Sequence, residues 1–277
     1  MTNANEQPRK RFLALDTATA TLGVAVTEGG RVLHEINASG ERNHSVHLLP
    51  IIGEALQASG GSEMLDGISV GVGPGSYTGT RIAITAAKSL AWGWKLPVVG
   101  VSTLQALAWG GWNAGAGSPD EAAAGQERSS DGFGPDWIVP LLDARRGQAY
   151  TALFAVDGGS APQRLAPDRI RLMADWVQSL AERLDTAKAI GECPRRLWFV
   201  GETAVHGSGE LLGPLEGASE LRVLPYELEG RWVGFLGEAR HASGDIDDVH
   251  GLIPNYTQLA EAEANLLKAG KGGMKSR

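Results

Sequence analysis

The stretch Gly71-Val72-Gly73-Pro74-Gly75-Ser76-Tyr77-Thr78-Gly79-Thr80-Arg81 has the composition of an anion site. An apolar run, Ile68 to Val72, precedes it, and a helix-like run, Ile82 to Trp94, follows it. A glycine loop between a strand and a helix turns backbone N–H groups and a positive helix end toward one point, which suits phosphate. Two standard phosphate loops fail on spacing. A Walker A loop counted from Gly73 or Gly75 puts its second glycine on Thr78 or Thr80, and no lysine lies in the loop. The Gly-x-Gly-x-x-Gly pattern accepts Gly73 and Gly75 but meets Thr78 at its third place. The alternative is a tight turn in which glycine permits close backbone approach.

Other residues carry weaker signals. Asp16 and Thr17 end an apolar run, where a carboxylate could hold a metal or orient a phosphate; equally, it could bond the following turn. Asp16, Gly73, Gly75 and Ser76 together form a candidate vestigial nucleotide site. His44 and His47 are spaced His-Ser-Val-His, without the intervening Glu or the four-residue step of a zinc helix. Arg145 and Arg146 could clamp a phosphate or carboxylate, or simply be solvated. Ser76 and Thr78 lack a triad motif, since Gly-x-Ser-x-Gly is absent. No catalytic residue and no metal ligand set is assigned.

Elements that position these groups follow from apolar periodicity. Phe12–Asp16 reads as a strand, and Leu22–Thr27 and Arg31–Asn37 read as a hairpin about Glu28-Gly29-Gly30. His44–Ala58 has helical period and includes Pro50. Strand 68–72, helix 80–94, strand 97–101 and a helix from Ser102 through Trp109 complete a βββαβαβα order. Residues 110–135, rich in Gly, Ala, Ser and acid, read as a flexible insertion or linker. Strands at 137–143 and 148–156, a helix at 174–184, strands at 197–201 and 221–224, and a helix at 231–242 follow. The expected division is a first lobe 1–109, the connection 110–135, a smaller lobe 136–250 and a helical tail 251–277. A meander with interleaved helices, followed by a weaker copy, suggests a duplicated α/β fold. The helix after the loop carries small residues at Gly79, Ala83, Ala86 and Ala87, with Leu90 beyond. That face, with the helix near His44, suggests a dimerising surface; His47, Thr80, Ala83, Ala87 and Leu90 are its candidate interface residues.

Composition narrows function. The chain has 277 residues, 43% of them apolar, and a net charge of −7. An acidic surface argues against independent high-affinity nucleic-acid binding. Its single cysteine, Cys193, excludes an internal disulfide and a cysteine zinc site. The polar stretch from Met1 to Lys10 does not read as a secretion signal, and no run has transmembrane length, so a soluble cytoplasmic protein is expected.

These residues also resemble a known family, the bacterial TsaB (YeaZ) proteins of tRNA threonylcarbamoyladenosine biosynthesis. The resemblance is carried by Leu15-Asp16-Thr17-Ala18, His44-Ser45 with Leu48-Leu49-Pro50, Gly71 through Arg81, Pro97 through Leu104, Leu142 through Tyr150, and Pro254-Asn255-Tyr256. It implies an actin-like (ASKHA, ribonuclease H-like) α/β fold with two duplicated lobes. It implies a non-catalytic partner of the paralogue TsaD, which carries the metal and transferase site, working with the ATPase TsaE. It further implies a homodimer when alone, tRNA contact only through the complex, no membrane, no cofactor bound by this chain, and ATP and metal handled by partner subunits. Actin-like ATPases have a glycine near the strand-ending Asp; here Ala18-Thr19-Ala20 follows. The connection 110–135 is longer than the family's, and Thr257-Gln258 stands where the family has Leu-Arg. The other readings are a nucleotide-binding actin-like ATPase or phosphotransferase and a peptidase-like protein of the same superfamily.

Overall fold

The computed structural model describes residues 9–39, 44–116, 134–157, 160–217 and 219–257. Each half of the chain builds a five-stranded mixed sheet. In the first, β1 (Arg11–Asp16), β2 (Thr21–Glu28) and β3 (Arg31–Ser39) form a meander. Helix α1 (His44–Ala58) leads to β4 (Gly67–Gly71), α2 (Tyr77–Trp94), β5 (Val98–Val101) and α3 (Thr103–Ala116). In the second, β6 (Asp136–Asp143), β7 (Gln148–Val156) and β8 (Gln163–Leu172) repeat the meander. Then come α4 (Met173–Ala189), β9 (Arg196–Gly201), the short helices α5 (Thr203–His206) and α6 (Gly209–Leu212), β10 (Glu220–Pro225) and α7 (Gly230–Ala242). The strand orders are β3-β2-β1-β4-β5 and β8-β7-β6-β9-β10, so the second sheet repeats the first position for position. In each, the first strand pairs antiparallel with its hairpin partner and parallel with the strand after the first helix. The duplicated α/β architecture is therefore present in the coordinates.

Alternation along the strands sends side chains into three cores. Leu13, Leu15, Val24 and Ile68 meet α1 and α2 through Leu48, Ile52, Ala83 and Ala87. Val139, Leu141, Leu153 and Phe199 meet α4 through Trp176, Val177 and Leu180. The inner faces, with Phe12, Ala14 and Val99 from one sheet and Ile138, Phe154 and Val200 from the other, share a central core with α3 and α7. The molecule thus has five layers.

Packing of the central helices crosses the chain order. Helix α3, from the first half, lies on β6 and β9 of the second sheet; α7, from the second half, lies on β1, β2 and β4 of the first. Glycines allow both approaches. Gly230, Gly234 and Gly237 place α7 against Val24, Thr27 and Ser69, and Gly111 and Gly115 place α3 against Val200 and Trp198. Asp136 fastens α3 to its sheet, accepting from Trp112 Nε1 at 2.8 Å and Trp198 Nε1 at 3.1 Å. The carboxylate is also paired with Arg196 at 3.0 Å, so its burial is compensated.

Several boundaries differ from the sequence reading. Helix α3 continues to Ala116, so residues 110–116 are helical rather than part of a connection, and Gly110, Gly111 and Trp112 are buried. They read as linker because of their glycines, yet those glycines are where Val200 and Tyr226 come close. The rest of the expected connection, to residue 133, lies outside the described residues. Strand β8 was not expected; its alternation is obscured by four charged residues on an exposed edge. Helix α2 starts at Tyr77, three residues before Thr80, because Ser76 caps it. Tyr256 and Thr257 are not helical, and the remainder of the expected tail helix lies outside the described residues.

The helix–strand approach yields a paired expectation. An alanine in place of a helical glycine ordinarily stabilises by about 0.5–1 kcal/mol. Gly53 of α1 has open space around a Cβ and should follow that rule, whereas a Cβ at Gly237 would overlap Ser69 Oγ. Urea denaturation should find Gly53→Ala stabilised and Gly237→Ala destabilised by about 1–3 kcal/mol.

Candidate functional site

Asp16 ends β1 beneath the glycine loop and is 1% exposed. Its Oδ2 accepts from Thr103 Oγ1 at 2.7 Å, and its Oδ1 accepts from the Ala18 amide at 2.6 Å. Thr103 Oγ1 also accepts from the Gly73 amide at 3.1 Å, so one hydroxyl joins β1, the loop and the start of α3. Burial pushes the Asp16 carboxyl up to about 6, against the opposing pull of these two hydrogen bonds.

The loop lies directly on the segment after Asp16. A Cβ at Gly75 would overlap the Ala18 carbonyl oxygen, one at Gly79 the Thr17 carbonyl oxygen, and one at Gly71 the Asp16 carboxylate. The Ser76 amide donates to Ala18 O at 2.7 Å. Thr17 Oγ1 donates to Gly79 O at 2.6 Å. The Gly79 amide donates to Ser76 Oγ at 3.2 Å, and the Thr80 amide to Ser76 O at 2.9 Å. The donors of Gly73, Ser76, Gly79 and Thr80 are therefore spent on the protein itself. Asp16, Gly73, Gly75 and Ser76 do come together, in one packed joint where the Gly73 and Ser76 amides are bonded to the protein.

An interlobe cleft of about 820 Å³ opens beside this joint. Its first wall is Ala18–Ala20, His44 and the loop; its second is Leu142–Arg145, Tyr150 and Glu202. Asp143 ends β6 as Asp16 ends β1, an equivalence that follows from the duplication. His206 Nε2 lies 2.9 Å from Asp143 Oδ1, and the Asp143 amide donates to Glu202 Oε2 at 2.6 Å. Burial, the largest influence, raises the Glu202 carboxyl above its ordinary range. Glu202 and His206 were not singled out in the sequence; the duplication is the signal, because it sets the end of β9 beside the end of β6. Arg145, Arg146 and Gly147 turn the hairpin with φ of 65°, 54° and 71°. Both arginines are exposed, and Arg145 lines the cleft on the same wall as Asp143 and Glu202. Among the described residues, no group of three or more His, Cys, Asp or Glu is arranged to hold a metal ion, and His44 and His47 sit on successive turns of α1.

A second concavity runs along the outside of the first lobe between α1 and α2. It measures about 670 Å³ and is lined by Leu48 and Leu49 of α1 and by Ile82, Thr85, Ala86 and Leu90 of α2, among others. Leu49 is 61% exposed, and Tyr77 at the groove's end is 56% exposed. The expected interface residues divide here. Leu90 lines the groove, and His47 is half-buried on α1. Thr80, Ala83 and Ala87 are 4%, 0% and 0% exposed, which corrects their placement at an interface. Their small side chains serve the helix's own sheet: α2 presses them onto Leu13, Leu15 and Val70. The surface actually offered lies about 100° round the helix, at Thr78, Arg81, Ile82, Thr85 and Ser89.

Asp16 carries a pH expectation. Its folded carboxyl titrates near 6, and its ordinary value is 3.8. The folded state therefore holds a proton that the unfolded state releases. Stability is greatest below pH ~4, falls as pH rises to ~6, and levels off above, a loss of about 3 kcal/mol from this group. Urea denaturation of wild type and Asp16→Asn across pH 4–7 should show that slope in wild type and its removal in the variant.

Known proteins resemble this chain over most of its length. The family model described as TsaD: tRNA N6-adenosine threonylcarbamoyltransferase matches residues 31–206. The TsaB protein of Bacillus subtilis is 35% identical over 267 residues, covering 94% of this chain and 99% of that one. The TsaB protein of Escherichia coli is 36% identical over 182 residues, covering 60% of this chain and 69% of that one. YeaZ from Pseudomonas aeruginosa superposes with a TM-score of 0.64 at 21% identity, over 89% of this chain and 99% of that one. That superposition and the repeated strand order give the two lobes the actin-like fold. With the glycine joint, the repeated sheets and a relative matched along nearly its full length, the chain belongs to the TsaB family of tRNA threonylcarbamoyladenosine biosynthesis proteins.

Proposed function

We propose that this chain is a non-catalytic scaffold subunit. It pairs with a TsaD-type paralogue and, together with the TsaE ATPase, supports threonylcarbamoylation of the adenosine next to the tRNA anticodon. The observation that carries the reading is the spent chemistry of the glycine joint. The residues that an actin-like enzyme would turn toward phosphate are here bonded to one another and to Thr103. ATP and metal are handled by the partner subunits, and this chain holds no cofactor of its own. The tRNA is reached only through the complex, in keeping with a net charge of −7. No described helix is long and apolar enough to cross a membrane. Its tRNA substrate makes the cytoplasm the expected location of the assembly.

The α1/α2 groove is the docking face, both for the paralogue and for a second copy when this chain is alone. It is apolar, exposed and built on rigid helices, as a protein interface requires. The second reading is a nucleotide-binding ATPase or phosphotransferase, which the volume of the interlobe cleft favours.

Thr85 is exposed at the middle of the groove. Thr85→Arg should weaken association with the paralogue at least about tenfold in analytical ultracentrifugation, while leaving thermal unfolding unchanged. Ala83→Glu should instead lower stability, because Ala83 is wholly buried. Isothermal titration of the isolated chain with ATP and magnesium should show no micromolar binding; such binding would favour the ATPase.

A further inference from the structure

We propose that the seam between α4 and the edge strand β8 is a contact surface for the phosphate backbone of the tRNA. The proposal rests on the reading of this chain as a subunit of a tRNA-modifying complex. Strand β8 is the outer strand of the second sheet. On it Arg169 and Arg171 pair with Thr151 and Ala149, and Ala149 packs in the core beneath α4, so both arginines stand on the α4 side. Arg171 lies over the Trp176 ring of α4, its Cζ 4.1 Å from the ring centre, and donates to Pro167 O at 3.1 Å. Arg183 follows Trp176 by two helical turns, which brings it to the same flank of α4. Arg146 stands at the β6–β7 turn, which is joined to the start of α4 where the Met173 amide donates to Gly147 O at 2.9 Å. Arg146, Arg169 and Arg183 are exposed.

The seam is rich in donors and poor in acceptors. Among the described residues, no carboxylate pairs with Arg146, Arg169, Arg171 or Arg183, whereas Arg11, Arg164, Arg196, Arg222, Arg231 and Arg240 each have one. Arg171 Nε and Trp176 Nε1, two further donors of the stack, are buried without a partner among the described residues. Burial, and then the like charges of Arg169 and Arg183, hold the Arg171 guanidinium below its ordinary range. The acids of α4, Asp175, Glu182 and Asp185, stand about 80° or more round the helix from Arg183. A chain of net charge −7 thus keeps uncompensated guanidinium groups together on one edge, where a polyanion relieves their mutual repulsion. Alternate residues of a strand are about 6.6 Å apart. Arg169 and Arg171 therefore repeat along a straight edge, as phosphates do along a nucleic-acid strand. Guanidinium forks take phosphate oxygens in pairs. The Bacillus subtilis relative is a tRNA threonylcarbamoyladenosine biosynthesis protein, which favours a phosphodiester backbone over an acidic protein segment. The acidic remainder of the surface keeps the isolated chain's grip weak, so the contact counts beside those of the paralogue.

Fluorescence anisotropy of labelled tRNA reads the contact, with the wild-type complex compared with one carrying Arg169→Gln and Arg183→Gln. In the variant the Kd should rise about tenfold near ~100 mM salt, and the slope of log K against log salt should shrink by about 2, equally for tRNAs of different anticodon. A complex carrying Lys10→Gln and Arg222→Gln loses the same charge from ion-paired surface sites and should bind as wild type does. An unchanged Kd and slope in the first variant, or equal effects in the two, would overturn the proposal. So would weakened association of the first variant with the paralogue, which would make the seam a protein-binding face. If the wild-type chain forms no complex with the paralogue, the scaffold reading fails instead, and the isolated chain with tRNA at about 20 mM salt decides the seam. Binding there that the Arg169→Gln and Arg183→Gln changes abolish supports the contact, and no difference between wild type and variant refutes it.

Discussion

The rest of the structure depends on one buried joint: Asp16, the Thr103 hydroxyl and the Gly73 amide, with Thr17 and Ala18 pressed against Gly75 and Gly79. Thr103 Oγ1 donates to Asp16 and accepts from Gly73, so neither polar group is left unpaired in this buried site. Because Thr103 is also the first residue of α3, the joint fixes where that helix leaves the first sheet. Helix α3 then packs on the second sheet, and α7 returns to the first. The orientation of the lobes is thus set at the point where an actin-like enzyme would hold its phosphates.

The same joint explains why the loop needs its glycines. Backbone carbonyls of Thr17 and Ala18 occupy the space where side chains of residues 79 and 75 would stand. Such contact needs glycine as strictly as a nucleotide would. Composition alone cannot separate the two uses, because both are close approaches to a backbone. In this loop the amides of Gly73, Ser76, Gly79 and Thr80 all have protein acceptors.

Much of the fold was legible, because it rests on local patterns. The opening meander, α1 and strands β4 to β7 follow from alternation, the Gly29-Gly30 turn and helical periodicity. The strand-ending Asp that bonds its own turn was one of the readings open for Asp16, and it is the one observed. What was not legible depends on long-range partners. Gly110 and Gly111 look like linker until Val200 and Tyr226 are brought against them. The spacing of Gly230, Gly234 and Gly237 is a one-sided helical stripe that a sequence reading can notice. Which sheet it covers is a property of the topology. Ala83 and Ala87 mark a close approach correctly; the error lay in giving that approach to another molecule rather than to β1 and β4.

That error sharpens the view of α2. A helix with small residues inward sits low on its sheet, and its outer residues then form the floor of a groove rather than a ridge. The depth between α1 and α2 follows from Ala83 and Ala87 being small, so these residues shape a groove they do not line. Larger side chains there would lift α2, expose Leu13 and Val70, and flatten the groove together. The joint at Asp16 holds the N-terminal end of α2 through the Ser76 cap, and the bonds from Lys88 Nζ to His250 O and Leu252 O hold its later turns. A surface fixed at both ends is preorganised, and preorganisation reduces the entropy lost when a partner binds. The packed joint at Asp16 and the groove on the outer face of α2 are thus two outcomes of the same packing.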